Sequence, residues 1–199
     1  MEVTLNQCLA ARLIQHSTST YSSPLVVIPK TSGGLKITVN YLKLNQISKL
    51  SQLPIPPVDL VLDSLGSGRV FSLFDLVSSF NQIKAHEDTV PLTAFCTPTG
   101  LYEWPVMPQG SSGLPGWFVK VINEVIKDLN QVAAYLDDVI VFDSDPIAHV
   151  QTIHSLVERL RKHNIKFSPS KARLGATYAV HGPLHFPGGP TPDRRKMSA

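Results

Sequence analysis

An α+β fold is expected, an antiparallel sheet with helices packed on one face, and three observations predict it. Short runs rich in β-branched and aromatic residues alternate with amphipathic stretches in the order strand, helix, hairpin, helix, strand. The segment GWFVKVINEVIKDL repeats apolar pairs at helical spacing, Trp117-Phe118, Val121-Ile122 and Val125-Ile126. Residues 133–143, AAYLDDVIVFD, set an apolar run on either side of Asp137 and Asp138, the pattern of a hairpin.

Residues 1–22 are polar and weakly patterned, with a short helix expected around Leu9 to Ile14. SPLVVIPK, TSGG and LKITVNYLKLN read as two strands joined by a Gly-Gly turn. In PIPPVDLVLDSLGSG, Pro56 and Pro57 open a helix, Val58, Val61, Leu62 and Leu65 line one face, and Gly66 ends it. RVFSLFDLVSSFNQI offers a strand, Val70 to Leu73, running into Asp75, and TAFCTPTGLYEWPVMP a hairpin turned at Pro98-Thr99-Gly100. After the acidic hairpin, Asp145-Pro146 is a good N-cap and first-turn pair for a long helix. Its stripe is expected at Val150, Ile153, Val157 and Leu160, ending near Asn164.

With 199 residues the chain can build one sizeable domain or two small lobes, and 43% apolar with 17% charged residues is a globular composition rather than a disordered one. No apolar run approaches the ~20 residues that span a bilayer, and the N-terminus lacks a basic start followed by an apolar block. A soluble intracellular protein or a fragment of one is expected, without a membrane partner. Cys8 and Cys96 fit no zinc spacing and no disulfide framework. Charge is unevenly spread. Residues 159–199 carry nine basic side chains, Arg159, Arg161, Lys162, Lys166, Lys171, Arg173, Arg194, Arg195 and Lys196, against the single acid Asp193. A basic end on an acidic body fits a surface that tracks a phosphate backbone beside a carboxylate site, and equally a solvated face with a charged tail.

Asp137 and Asp138 need an explanation. A tight two-residue hairpin turn prefers Asn-Gly or Asp-Gly, and adjacent carboxylates raise each other's pKa by repulsion. A divalent cation between them removes that cost; a solvated turn is the competing reading. If the strand VFSLFD pairs with the hairpin, Asp75 joins them at one sheet edge. Three carboxylates there can hold two Mg²⁺, with Mn²⁺ also suited, as phosphoryl transfer requires.

Across residues 23–175 the ordered set SPLVVIPK, VNYLKLN, FSLFDLVSSFNQI, TAFCTPTGLYEW, VMPQGSSGLPGWF and YLDDVIVF resembles the reverse transcriptase domain of gypsy-type long-terminal-repeat retrotransposons and their retroviral relatives. The resemblance implies the fingers and palm of a right-hand polymerase. Fingers would span 23–50 and 84–111, and palm 51–83 and 112–182. An extension would precede them, a degenerate basic tail would follow at 183–199, and thumb and RNase H would be absent. It implies an RNA-directed DNA polymerase that adds deoxynucleoside triphosphates to a primer on an RNA or DNA template, cut from a larger polyprotein. The setting implied is the cytoplasm, in a virus-like particle, with nuclear access.

Residue by residue, the resemblance makes Asp75 and Asp137 the principal Mg²⁺ ligands, completed by Asp138 and the backbone carbonyl of Leu76. Phe80 would lie under the incoming sugar and exclude a 2′-hydroxyl. Gln109 and Gly110 would face the nascent base pair, Lys30 and Lys36 the triphosphate, and Lys171 would sit near a lysine that protonates pyrophosphate. The chain departs from the family pattern in three places. Asn40-Tyr41-Leu42 stands for Asp-Tyr-Arg, Pro115-Gly116-Trp117-Phe118 carries a helix-weakening Gly, and TYAVHGPLHFPGGP replaces the hairpin that holds the primer. Pro183, Pro187 and Pro190 are expected to prevent a regular hairpin there. Two other readings stay open: a catalytically silent remnant acting as a nucleic-acid or protein interaction module, and a metal-dependent nuclease built on the three aspartates.

Overall fold

A computed structural model describes residues 2–29, 35–48, 53, 57–176, 180–181 and 184–185. In order it contains α1 (Glu2–Ala10), β1 (Gln15–His16), β2 (Ser23–Pro29), β3 (Leu35–Val39), α2 (Leu42–Ile47), α3 (Val58–Leu65) and β4 (Val70–Asp75). Then follow β5 (Phe95–Thr97), β6 (Gly100–Glu103), α4 (Leu114–Ile126), β7 (Val132–Tyr135), β8 (Asp138–Asp143), α5 (Pro146–Lys162), β9 (Arg173–Ala176), β10 (Val180–His181) and β11 (Leu184–His185). The chain divides into two compact units, one of residues 1–53 and 78–118, the other of 54–77 and 119–199.

The first unit is built on a five-stranded sheet ordered β1-β6-β5-β2-β3, in which β2 and β5 run parallel and the other pairs antiparallel. Its core gathers Leu5, Ile14, Val39, Tyr41, Phe95, Tyr102 and Trp104. The N-terminal helix lies earlier than the expected Leu9 to Ile14: α1 starts at Glu2 and ends at Ala10, and Ile14 enters the core from beyond it. Three buried or half-buried side chains, Leu5, Cys8 and Leu9, recur at 3–4-residue spacing, which is the helical signal in this otherwise polar stretch.

An antiparallel four-stranded sheet ordered β7-β8-β4-β9 forms the second unit. The α+β class holds, but the helices cover both faces rather than one. Side chains alternate along a strand. Phe71, Ile140 and Phe142 pack with Val61 and Leu65 of α3 on one face, while Ser72 and Asp143, one register step away, bond His149 of α5 on the other. All six residues of β8 are buried in consequence.

On α5 the Asp145 N-cap and Pro146 stand as read, with the Asp145 carboxylate accepting from the Ala148 N–H at 2.8 Å. The buried stripe is turned toward His149 and Leu156, however: it keeps Leu160, leaves Ile153 and Val157 half-buried, and leaves Val150 67% exposed. The apolar pattern misled because the polar His149 occupies a core position. A correction also applies after residue 176. Val180 pairs with His185 and His181 with Leu184, so a short hairpin does form. In sequence Pro183 falls between its strands and Pro187 and Pro190 beyond them, so no proline takes a ladder position.

Candidate active site

β4 and β8 pair antiparallel with Asp75 opposite Asp138, Leu73 opposite Ile140 and Phe71 opposite Phe142. Directly opposed residues project to the same face, so register alone sets two of the three aspartates side by side at one end of the sheet. The tight turn before β8 is not Asp-Asp. Tyr135 pairs with Asp138, which makes Leu136 and Asp137 the two turn residues. Leu136 takes φ +49°, as such a turn demands of its first residue. Asp138 is therefore a strand residue, 7% exposed, whereas Asp137 stands in the open at the tip.

Past Asp75 the chain stays zipped on both sides. The Leu76 N–H donates to the Asp137 carbonyl at 2.9 Å, fastening the hairpin tip to β4. On the other side Ser168 N–H donates to the Asp75 carbonyl at 2.8 Å, Val77 N–H to the Lys166 carbonyl at 3.0 Å, and Leu76 bridges Phe167. Asp75, Leu76, Asp137 and Asp138 are thus brought together. Lys171 arrives at the same place: its Nζ lies 3.1 Å from both carboxylate oxygens of Asp75.

These donors are carboxylate and carbonyl oxygens, which suit Mg²⁺ or Mn²⁺ by their hardness. In this arrangement, among the described residues, no set of three His, Cys, Asp or Glu side chains is placed to hold one metal ion. Both Asp75 carboxylate oxygens are engaged by Lys171.

In the first unit, Phe80 lies on a 3-10 turn, Ser79–Gln82, entered through Ser78 at φ +45°. Its half-buried ring meets that of Phe118 at 5.2 Å between centroids, tilted 60°. Gln109 is half-buried and Gly110 exposed. Gly110 takes φ +108°, and a Cβ there would stand 2.9 Å from the Val39 carbonyl oxygen, so its own backbone demands glycine. Asn45, which sequence reasoning did not single out, brackets this turn. Its Nδ2 donates to the Gly110 carbonyl at 3.0 Å and its Oδ1 accepts from Ser112 N–H at 3.1 Å. Its place in VNYLKLN was the available signal. Lys36 belongs to β3 opposite Ile28; Lys30 and the Lys36 side chain lie outside the described residues.

Of the departures from the family pattern, Gly116 acquires a local reason, whereas the contacts of Asn40 and Tyr41 would be made equally by the Asp-Tyr of the pattern. Asn40 Oδ1 accepts from Leu42 N–H at 3.0 Å, and Tyr41, 2% exposed, donates its hydroxyl to the Thr93 carbonyl at 2.7 Å. Burial pushes the Tyr41 phenol well above its ordinary value. Gly116 sits where a Cβ would lie 2.6 Å from the Leu53 carbonyl oxygen, a contact that any other residue would have to break. Glycine's poor helix propensity is the cost of that approach.

Residues 4–188 match the family model described as reverse transcriptase (RNA-dependent DNA polymerase). The chain belongs to the reverse transcriptase family. It is 33% identical over 181 residues to the retrovirus-related Pol polyprotein from transposon 297 of Drosophila melanogaster, covering 87% of this chain and 17% of that one. The transposon opus polyprotein of the same fly is 30% identical over 87% of this chain and 18% of its own length. Polyprotein P3 of Commelina yellow mottle virus is 28% identical over 86% of this chain and 10% of its own. The chain thus spans under a fifth of these relatives. Among solved structures, a foamy viral protease-reverse transcriptase in complex with double-stranded DNA superposes with TM-score 0.84 at 19% identity, covering 90% of this chain and 32% of that one. Prototype foamy virus protease-reverse transcriptase gives 0.82 at 22% identity over 89% and 24%. At that identity the likeness speaks for the fold. Among the described residues, no helix is long and apolar enough to cross a membrane.

Proposed function

We propose that this chain is the fingers and palm of a gypsy-like retrotransposon polymerase, which copies an RNA or DNA template by adding deoxynucleotides to a primer. The observation that carries the reading is the strand register that sets Asp75 opposite Asp138, with Asp137 at the hairpin tip between them in sequence. In the reaction the primer 3′-oxygen bonds to the α-phosphorus of the triphosphate, its proton departs, and the bond to pyrophosphate breaks. Bound divalent ions, Mg²⁺ in the first place, would supply the electrostatic stabilisation of the attacking and leaving oxygens. Asp75, Asp137, Asp138 and the Leu76 carbonyl would hold them.

The residues of this chain have assignable parts. The hydrogen bond from Leu76 to Asp137 and the one from Ser168 to Asp75 hold the carboxylate-bearing backbones rigid, which preorganises the donors. Phe80 is assigned the exclusion of a 2′-hydroxyl, and Gln109 and Gly110 the nascent base pair, on family resemblance. The polymerase would work with the remaining polyprotein domains, thumb and RNase H among them, in an intracellular particle.

Primer extension on poly(rA) with an oligo(dT) primer and Mg²⁺ tests the reading. The parent chain extends and the Asp137→Asn variant does not. A well-folded parent that fails to extend favours the second reading, a silent remnant.

A further inference from the structure

Asp75 already has a cation. Lys171 Nζ sits equidistant from its two oxygens, 3.1 Å from each, although 96 residues separate the pair in sequence. The placement is built by backbone. Ser168 N–H bonds the Asp75 carbonyl, and Lys171 and Ala172 N–H both bond the Ser168 carbonyl, at 3.2 and 3.0 Å. One turn is therefore anchored to the very residue whose side chain its lysine neutralises. The pair lies at the water boundary, with the Lys171 side chain 66% and that of Asp75 32% exposed, where an ion pair is weak enough to exchange.

We propose that Lys171 is a resident counter-cation of the carboxylate site: it occupies Asp75 in the metal-free chain, and a divalent ion gains that carboxylate only by displacing it. The proposal rests on the reading of Asp75 as a metal ligand. An ammonium brings one charge and directional N–H groups; a divalent ion brings two charges and accepts several oxygens at once. The exchange thus runs toward the metal as its concentration rises, and the lysine sets the threshold. Lys171 acts here as a positioning residue, apart from any proton it delivers to pyrophosphate. With Lys171 removed, competition ends, and the affinity for metal rises by the worth of a partly exposed ion pair, about two- to five-fold.

The test titrates Mn²⁺ into the full chain and counts the unbound ion by its electron paramagnetic resonance signal, with circular dichroism confirming the fold of each variant. Lys171→Met is expected to bind two- to five-fold more tightly than the parent, while Lys171→Arg and Lys162→Met match it. Adding Asp75→Asn to Lys171→Met is expected to abolish the gain. A gain of equal size in Lys162→Met shows only a general loss of positive charge and overturns the proposal. So does a Lys171→Met variant that binds like the parent while Asp137→Asn weakens binding, which leaves the metal reading standing. Failure of every chain to bind Mn²⁺ overturns both.

Discussion

Truncating His149 to alanine opens the buried face between α5 and the sheet of the second unit. His149 is 2% exposed and joins two other buried groups: Nδ1 lies 2.8 Å from Asp143 Oδ2, and Nε2 lies 2.7 Å from Ser72 Oγ. A carboxylate only accepts, so Nδ1 carries a proton and donates to Asp143, while Nε2 shares a hydrogen bond with the serine hydroxyl. That hydroxyl in turn accepts from Gly175 N–H at 3.0 Å, tying β9 to the same chain of bonds. In sequence the arrangement has the residue types of a Ser-His-Asp triad. With Ser72 1%, His149 2% and Asp143 5% exposed, however, nothing can reach the serine, and the network is structural. After truncation Asp143 keeps one side-chain donor, Thr152 Oγ1 at 3.1 Å, and loses the closer one. Removing a hydrogen bond to a buried carboxylate costs about 1.5–3 kcal/mol, and the emptied imidazole volume adds to it. Thr152→Val, which removes the longer bond to Asp143 together with the hydroxyl's bond to the Ala148 carbonyl, is expected to cost about 1 kcal/mol. Urea unfolding followed by circular dichroism reads both, as a shift of midpoint at constant slope. A His149→Ala loss below about 1 kcal/mol would refute the argument, since it would mean that Asp143 is hydrated once the ring is gone.

Other outcomes follow from single contacts. Gly110→Ala is expected to lower stability by about 1–3 kcal/mol in thermal unfolding, because the positive φ and the Val39 carbonyl at 2.9 Å both oppose a Cβ. The rotated face of α5 predicts that Val150→Lys changes stability by less than about 0.5 kcal/mol, while Leu156→Ala costs about 2–5 kcal/mol. The reverse order would restore the stripe read from sequence. Tyr41→Phe is expected to cost about 1 kcal/mol, the bond to the Thr93 carbonyl, with no change in packing. Because burial raises the Tyr41 phenol, that tyrosine contributes stability in full below its unfolded-state pKa, and the contribution declines only as strongly alkaline pH rises toward the folded value. Spectrophotometric titration of the parent against the variant reads that lag.

What the sequence determined by itself is local. Helical periodicity placed α4, the proline pair placed the start of α3, and the Asp145-Pro146 cap placed α5 to the residue. The order of motifs singled out Asp75 and the Asp137-Asp138 pair because strand ends and hairpins are written within a few residues of themselves. Tertiary structure alone decided the register that opposes Asp75 to Asp138, the arrival of Lys171 from 96 residues away, and the turning of α5 so that His149 points inward to Ser72, 77 residues distant. It also decided that a Cβ at Gly110 or Gly116 would collide with the Val39 or Leu53 carbonyl. The physical reason is common to all four. A local pattern states which face of an element is apolar, but which partner fills a polar position on that face depends on the free energy of packing the whole sheet and its helices together. A buried histidine satisfied by two partners is, in the linear text, indistinguishable from an exposed one.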